Sequence, residues 1–252
     1  MVLPLAFVFV ALLYASAGFG GGSTYTALLV AAEMDYRVLP LISLICNLVV
    51  VSGGVWHFVR AGHLKWRRVA PIIAISMPAA WLGGKTPIPE VVFLGILGLA
   101  LLIAGIAIWR EPQVEKRRVV SLSPIVTLSV GGGIGYLSGL VGIGGGIFLS
   151  PLLHLIGWDS PRRIAATASF FILANSAAGL LGHIQKNEVA VTGVVAEHWP
   201  LLLAVLVGGQ IGSRLGAAIV AESVIRRITA TLVLIVALRL LWTTLRLATG
   251  AA

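Results

Sequence analysis

Charged residues are scarce in this chain, and their scarcity limits what the protein can be. They make up 11% of 252 residues, against 58% hydrophobic residues and a mean hydropathy of +1.02. Soluble domains carry about 25% charged residues, so a sizeable water-soluble domain is excluded. Apolar runs of about 20 residues predict membrane-spanning helices. We therefore expect an all-α polytopic integral membrane protein.

The sequence also lacks the usual signatures of catalysis and cofactor binding. Its one cysteine, Cys46, excludes a disulfide within the chain, and His and Cys residues do not cluster at the spacing of metal ligands. The glycine-rich motif of ATP-binding loops is missing, and no carboxylate lies deep in an apolar segment, where proton pumps place one. We expect no metal, no cofactor and no enzymatic activity.

The net charge of +9 does not indicate a nucleic-acid partner. The basic residues stand next to apolar segments, in runs such as 60–68 and 116–118. Lys and Arg are typical of the cytoplasmic loops of membrane proteins, which they help to anchor. The lipid bilayer is therefore the expected partner rather than nucleic acid, and the expected location is the cell inner (cytoplasmic) membrane, crossed several times.

Eight apolar segments account for most of the chain, and two of them are unusually long. The long ones, 2–32 and 123–157, would run on the order of 47–52 Å as straight helices, whereas a hydrocarbon core is about 30 Å thick. Each contains a glycine triplet, and glycine weakens a helix by about 1 kcal/mol relative to alanine. We predict glycine-broken helices here, either re-entrant or discontinuous. The other segments are 38–59, 69–86, 91–109, 163–184, 199–220 and 224–247.

The two triplets, at 20–22 and 144–146, belong to two similar halves of the chain. Residues 1–109 and 123–252 form two transmembrane repeats of four segments each, and a polar cytoplasmic linker, 110–122, joins them. If both long segments re-enter, each half crosses the membrane an odd number of times, and the 18 Lys and Arg residues divide more unevenly between the two sides. The repeats would then be inverted, as in many secondary transporters. The sequence leaves open whether the long segments cross or re-enter.

The motif Gly-Xaa-Gly-Gly-Gly occurs twice, together with two other runs of small and polar residues. The residues concerned are 18–22, 142–151, 165–169 with Asn175, and 208–214. On these residues the chain resembles the sulfite exporter TauE/SafE family of membrane transporters. The resemblance implies transport of sulfite, thiosulfate or an organosulfonate across the cytoplasmic membrane. The first half departs from the pattern, because Ala27 stands where Pro151 stands in the second half.

A sulfite or sulfonate head group is a compact anion that needs several hydrogen-bond donors and a positive potential. Helix N-termini supply both, through free N–H groups and about half a unit of positive charge. If helices restart at Ser23 and Ile147, the amides of the two triplets converge on one anion, and Ser23 and Thr24 add hydroxyl donors. Asn47 and Asn175, in the middle of apolar segments, either donate to the anion or clamp a broken helix. Tight helix packing is the alternative role of the glycines.

Positive side chains near the ends of two segments are further candidates for the site. Arg214 is the strongest candidate for a charge partner, because a guanidinium can bind two oxyanion oxygens at once, and Lys85 occupies the matching position. Both could instead reach from helix ends to the membrane interface. His57 and His183 are candidates for carrying a coupling proton or for plain interfacial contacts. The predicted substrate-binding residues are Gly20, Gly21, Gly22, Ser23, Thr24, Asn47, Gly144, Gly145, Gly146, Asn175, Gln210 and Arg214.

These features predict a secondary transporter that binds a small sulfur-containing anion at a glycine-lined site near the midplane and works by alternating access. Export is the expected direction, because a negative-inside potential favours anion exit by about 2.3 kcal/mol per charge per 100 mV. A passive anion channel would use the same donors, and a membrane enzyme or an assembly factor of sulfur metabolism is a further alternative. The substrate, the coupling ion and the oligomeric state stay open, a homodimer included.

Overall fold

The computed structural model of the chain is all-helical in the residues that it describes, 2–16, 20–110, 123–186, 190–215 and 222–249. The all-α fold expected from the composition is thereby confirmed. Most of the linker predicted at 110–122 lies outside the described residues. The helices are α1 (Val2–Ser16), α2 (Gly22–Ala31), α3 (Leu39–Arg60), α4 (Trp66–Lys85), α5 (Glu90–Arg110), α6 (Pro124–Val141), α7 (Gly146–Leu155), α8 (Pro161–Lys186), α9 (Val191–Leu215) and α10 (Glu222–Thr249).

The described helices have the length and the surface of a membrane protein. Five of them, α3, α5, α6, α8 and α9, are long and apolar enough to cross a membrane. Large apolar side chains are exposed around the outside of the bundle, such as Leu99 and Ile103 on α5 and Ile235 and Leu238 on α10. An apolar surface of this extent suits contact with lipid rather than water. The chain is a multi-pass membrane protein, as its composition predicts.

Both long apolar segments are broken at their glycine triplets, as predicted. The first divides into α1 and α2, and the second divides into α6 and α7. The residue before the second helix is in each case a left-handed glycine, Gly21 with φ of 79° and Gly145 with φ of 77°. This conformation costs other residues about 1–2 kcal/mol. The second helices begin at Gly22 and Gly146, one residue before the predicted starts, because the left-handed glycine serves as the N-cap.

Glycines also bring the first helix of each half against the fourth helix of the other half. α6 lies along α4 and α1 lies along α9, while α3 packs on α8 and α5 packs on α10. Glycine allows helix backbones to approach closely in membranes. Close approaches occur at Gly135 with Ser76 and Gly139 with Ala80 in the first pair, and at Gly208 with Val8 and Gly212 with Leu12 in the second. Residue numbers rise together in both pairs, so each pair runs parallel.

One end of the bundle, which we call the basic end, carries the loops 61–65 and 156–160. Arg68 joins them: its Nη1 donates to Asp159 Oδ2 and to the carbonyl oxygen of Trp158, each at 2.9 Å, and its guanidinium lies 4.6 Å from the centre of the Trp158 ring. α4 starts at this end, and so does the parallel helix α6. Because α7 leads into the loop 156–160, the α6–α7 pair enters and leaves at the basic end.

The α1–α2 pair enters from the opposite end of the bundle. α9 runs parallel to α3, since Gly209 lies against Val50 and Ser213 against Gly53, and α3 ends at the basic end. α1 is parallel to α9 and therefore starts at the opposite end, where α2 returns to the loop before α3. Two broken pairs that approach the centre from opposite ends are what inverted repeats require. The repeat boundaries and their orientation in a membrane stay predictions.

Asp159 is the buried centre of an ion-pair cluster at the basic end. Its side chain is 2% exposed and lies 2.9 Å from Arg68, 3.2 Å from Arg163 and 3.7 Å from Lys65. Burial opposes ionisation of the carboxylate, but the amide of Ser160, the guanidinium of Arg163 and the charge of Lys65 hold its pKa below the usual value. A carboxylate with a lowered pKa stabilises the folded state at neutral pH.

We expect Asp159→Asn to lower the midpoint of thermal unfolding at neutral pH. The contribution of the carboxylate is present above its unfolded-state pKa of about 3.9 and is lost as the pH falls through the lower folded-state pKa. The difference between the midpoints of the wild type and of Asp159→Asn, measured in detergent, should therefore shrink as the pH falls below about 4. Glu33→Gln is the control, because Glu33 is 80% exposed in its pair with Arg239 and exposed pairs contribute little. An equal effect of both variants would contradict the prediction.

Candidate functional site

The two glycine breaks meet at the side chain of Asn47, in the middle of α3. A methyl group added to Gly20 would lie 2.5 Å from Asn47 Oδ1, and one added to Gly144 would lie 2.6 Å from Asn47 Nδ2. A methyl group on Gly22 would collide with Asn47 Nδ2 and lie 2.7 Å from the carbonyl oxygen of Ile143. Glycine, which has no Cβ, permits this close approach. The structure thus brings predicted residues from both halves to one amide side chain.

Several buried polar atoms have no hydrogen-bond partner among the described residues. Both amide atoms of Asn47 and of Asn175 are unpaired, and so are the hydroxyl groups of Tyr25, Ser138 and Ser176. All five side chains are fully buried. An unpaired buried polar group costs about 1–3 kcal/mol, and native proteins leave few of them. These unpaired groups are therefore candidates for binding a polar ligand.

The unpaired hydroxyl groups lie beside the glycine breaks, and the sequence analysis missed them. Ser176 Oγ is 3.0 Å from a methyl group placed on Gly144, and Ser138 Cβ is 3.1 Å from one placed on Gly145. Tyr25 stands in the first turn of α2. Serine is common in membrane helices as a small packing residue, so its presence alone marks no site. The one available signal was the adjacency of Ser176 to Asn175 in an apolar segment.

Two helix N-termini are directed at the same region. The first helical hydrogen bonds of α2 and α7 are donated to the carbonyl oxygens of Gly21 and Gly145, so the amides at the start of each helix are outside the helical ladder. Each N-terminus carries about half a unit of positive charge. Among the helix side chains whose burial the structure describes, the buried polar ones are Ser, Thr and Asn, with Tyr25. The positive potential here therefore comes from backbone dipoles and not from a buried Lys or Arg.

The two hydroxyl residues predicted for the first break are both buried at the start of α2. Ser23 and Thr24 are each 3% exposed. The hydroxyl group of Thr24 is hydrogen-bonded to the hydroxyl group of Tyr14 at 2.8 Å. This bond joins α2 to α1 and occupies the Thr24 hydroxyl in the described structure.

Gln210 and Arg214 lie apart from the glycine breaks. Both are exposed on the last turns of α9, toward the basic end. Gln210 Nε2 is 4.0 Å and Ser213 Oγ is 3.8 Å from a methyl group placed on Gly53 of α3, which lies beyond Asn47 along that helix. The structure does not bring Arg214 to the side-chain amide of Asn47, and the role of Arg214 in substrate binding stays a prediction.

The other three predicted side chains are near helix ends. Lys85 is exposed, with Nζ 5.1 Å from the centre of the Trp81 ring, and His57 is exposed near the end of α3. His183 Nε2 donates a hydrogen bond to the carbonyl oxygen of Gly139 at 2.8 Å, which joins α8 to α6. The secondary role considered for Lys85 and the coupling roles considered for the two histidines stay predictions.

The helix faces that carry the two asparagines have different surroundings. Gly54 follows Asn47 by two turns on the same face of α3, and a methyl group added to it would meet no atom within 4 Å. Gly182 stands in the matching position after Asn175, but a methyl group there would collide with the carbonyl oxygen of Trp81. Open space therefore lies beside Gly54, on the Asn47 face toward the basic end, whereas α4 packs closely against the face beyond Asn175 toward the opposite end.

Comparison with known proteins places these features in a family. The family model described as sulfite exporter TauE/SafE matches residues 3–240. The probable membrane transporter protein y4hK of Sinorhizobium fredii is 33% identical over 245 residues, which cover 95% of this chain and 97% of that protein. The probable membrane transporter protein MJ0441 of Methanocaldococcus jannaschii is 24% identical over 238 residues, which cover 87% of this chain and 86% of that protein. No solved structure matches the chain.

Proposed function

The chain belongs to the sulfite exporter TauE/SafE family, and we propose that this membrane transporter moves a small sulfur-containing anion, such as sulfite, out of the cell across the cytoplasmic membrane. The anion binds between the glycine breaks, at Asn47, close to the amides that begin α2 and α7. Asn175, Ser138 and Ser176 provide further hydrogen bonds on the side of the second half.

The observation that carries this proposal is the unpaired amide of Asn47 between two helix N-termini. Its oxygen and nitrogen have no hydrogen-bond partner among the described residues, although the side chain is fully buried. A helix N-terminus is a ready-made anion site, and discontinuous helices in transporters direct such ends at the anionic groups of substrates. An anion at this position would accept hydrogen bonds from Asn47 Nδ2 and from the backbone of both halves.

The unequal surroundings of α3 and α8 support alternating access rather than an open channel. Open space lies beside Gly54, on the Asn47 face, whereas Gly84 and Gly182 bring α4 and α8 into close contact on the matching side. Trp81 Nε1 also donates to Gln185 Oε1 at 2.9 Å on that side. We interpret open space at one end and close packing at the other as the inward- or outward-facing state of a carrier. An exchange of these two kinds of packing between the ends would then give the binding site access to the other side of the membrane.

The distribution of charge supports export as the direction of transport. Lys65, Arg67, Arg68, Arg162 and Arg163 lie around the loops of the basic end, and Lys and Arg concentrate on the cytoplasmic side. The path beside Gly54 then opens to the cytoplasm, where Arg214 and Gln210 would attract an anion that is about to leave. The membrane potential favours its exit.

We expect Asn47→Ala to lower the rate of sulfite efflux from proteoliposomes about tenfold or more, because a hydrogen bond to a charged group contributes about 1.5–3 kcal/mol. Ser52→Ala is the control on the same helix, since Ser52 is exposed and its hydroxyl group donates to Val49 of its own helix. Efflux by this variant should stay close to that of the wild type. Sulfite efflux that is unchanged in Asn47→Ala would refute the proposed site.

The same vesicles also test for a passive channel and for a different class of substrate. External sulfite should accelerate the exit of labelled internal sulfite, because a carrier returns faster when it is loaded. Efflux without this acceleration and without saturation would indicate a passive channel. If carboxylates move and no sulfur oxyanion does, the proposed substrate class is wrong.

A further inference from the structure

The unpaired groups at the two asparagines also constrain the charge of the ligand, which extends the proposed function. Among the helix side chains whose burial the structure describes, no charged group is buried, and the groups around the breaks are amides, hydroxyls and backbone dipoles. The cost of burying an ion rises steeply with its charge, and a full counter-charge is what normally offsets it. Two helix ends with about half a unit of positive charge each balance one negative charge and not two.

The same groups require more of the ligand than acceptor oxygens. A carboxamide has an oxygen that accepts hydrogen bonds and an NH₂ group that donates them, and in both Asn47 and Asn175 neither atom is paired within the described part of the chain. An anion that only accepts hydrogen bonds would leave both amide oxygens buried and unpaired, at a cost of about 1–3 kcal/mol each. A ligand with its own O–H or N–H donor would pair at least one of them.

We infer that the transporter selects small monoanions that carry a hydrogen-bond donor, and that hydrogensulfite rather than the sulfite dianion is the form of sulfite that it moves. Hydrogensulfite combines one negative charge, acceptor oxygens and one proton that can be donated. In the site, its oxygens accept from Asn47 Nδ2 and from the helix N-termini, and its proton is donated to an amide oxygen of Asn47 or Asn175. No covalent step is involved, and the proton stays on the substrate.

A matched pair of substrates tests the requirement for a donor. Sulfamate and methanesulfonate are monoanions of nearly the same size, but sulfamate has N–H donors where methanesulfonate has a methyl group. With the wild-type protein in proteoliposomes at zero membrane potential, we expect sulfamate to move about tenfold faster, in line with one buried hydrogen bond. Sulfate, a dianion of similar size, should not move above background. Equal rates of sulfamate and methanesulfonate, or transport of sulfate, would overturn the inference.

The dependence of sulfite transport on pH is an independent measurement on the wild type. At constant total sulfite, the rate should fall as the pH rises through neutrality, in proportion to the remaining hydrogensulfite. Methanesulfonate keeps its charge over this range and corrects for any effect of pH on the protein itself. A corrected sulfite rate that rises with pH would mean that the dianion is the transported form.

A variant of Asn47 tests whether this residue causes the requirement for a hydrogen-bond donor. Leucine resembles asparagine in size and has no polar atoms, so Asn47→Leu should reduce the ratio of sulfamate to methanesulfonate rates toward one. Ser52→Ala should leave the ratio unchanged. This inference rests on the proposed function, but the experiments distinguish failure of the one from failure of the other. If no sulfur oxyanion moves, the proposed function is wrong. If monoanions and dianions move at equal rates, only the inferred selectivity is refuted.

Discussion

Gly144→Ala should slow sulfite transport severely while the protein still folds. Gly144 has φ of +78°, and a methyl group there would lie 2.6 Å from Asn47 Nδ2 and 3.0 Å from Ser176 Oγ. Alanine in this conformation costs about 1–2 kcal/mol, which a folded protein can tolerate. Asn47 and Ser176 must also move away from the second break. Because a displacement of about 1 Å in a binding geometry can cost about a hundredfold in rate, we expect sulfite efflux to fall by about that factor.

The control for this variant separates backbone strain from contact. Gly62 also has a positive φ, +69°, but a methyl group there would meet no atom within 4 Å. Gly62→Ala therefore carries a similar backbone cost and leaves the site untouched. Its efflux rate per incorporated molecule should equal that of the wild type, with a slightly lower midpoint of thermal unfolding. If Gly62→Ala slowed efflux as much as Gly144→Ala, backbone strain alone would explain both effects.

The helices and their breaks were predictable because they depend on local sequence. A segment such as 123–157 is apolar throughout, and its length exceeds one span, so a break was required. The glycine triplet marked the position of that break, and the error was one residue, at the start of α7. Glycine at the N-cap and glycine in the first turn give nearly the same pattern in sequence, so the left-handed role of Gly145 could not be read from it.

The contacts of the candidate site were predictable only in part, because they join distant parts of the chain. The sequence marked Asn47 as a polar residue in an apolar segment, and it marked both triplets. That Asn47 belongs to the second break as much as to the first depends on how α3 packs beside the break between α6 and α7, which local patterns do not encode. For the same reason Arg214, one cation among several at helix ends, could not be placed relative to the glycines.

Among the glycines that the structure describes, Gly139 leaves the least room for a side chain and predicts the largest loss of stability. A methyl group on Gly139 of α6 would collide with the carbonyl oxygen of Ala80 on α4 and lie 2.6 Å from its carbonyl carbon. Backbone cannot rotate away as a side chain can, so α4 and α6 must separate in Gly139→Ala. Overpacking of this kind costs about 3 kcal/mol, and the hydrogen bond from His183 to Gly139 would be strained as well. We expect a clearly lower midpoint of thermal unfolding in detergent.

Gly133 provides a control with the opposite expected sign. It lies on the same helix, and a methyl group there would meet no atom within 4 Å. Gly133→Ala therefore adds only the higher helix propensity of alanine, which is about 1 kcal/mol in an exposed helix, and its unfolding midpoint should rise or stay constant. If the unfolding midpoint falls in Gly139→Ala but not in Gly133→Ala, the α4–α6 contact accounts for the loss of stability. A fall of equal size in both variants would mean that α6 depends on its glycines for flexibility, and the contact would then not account for the loss.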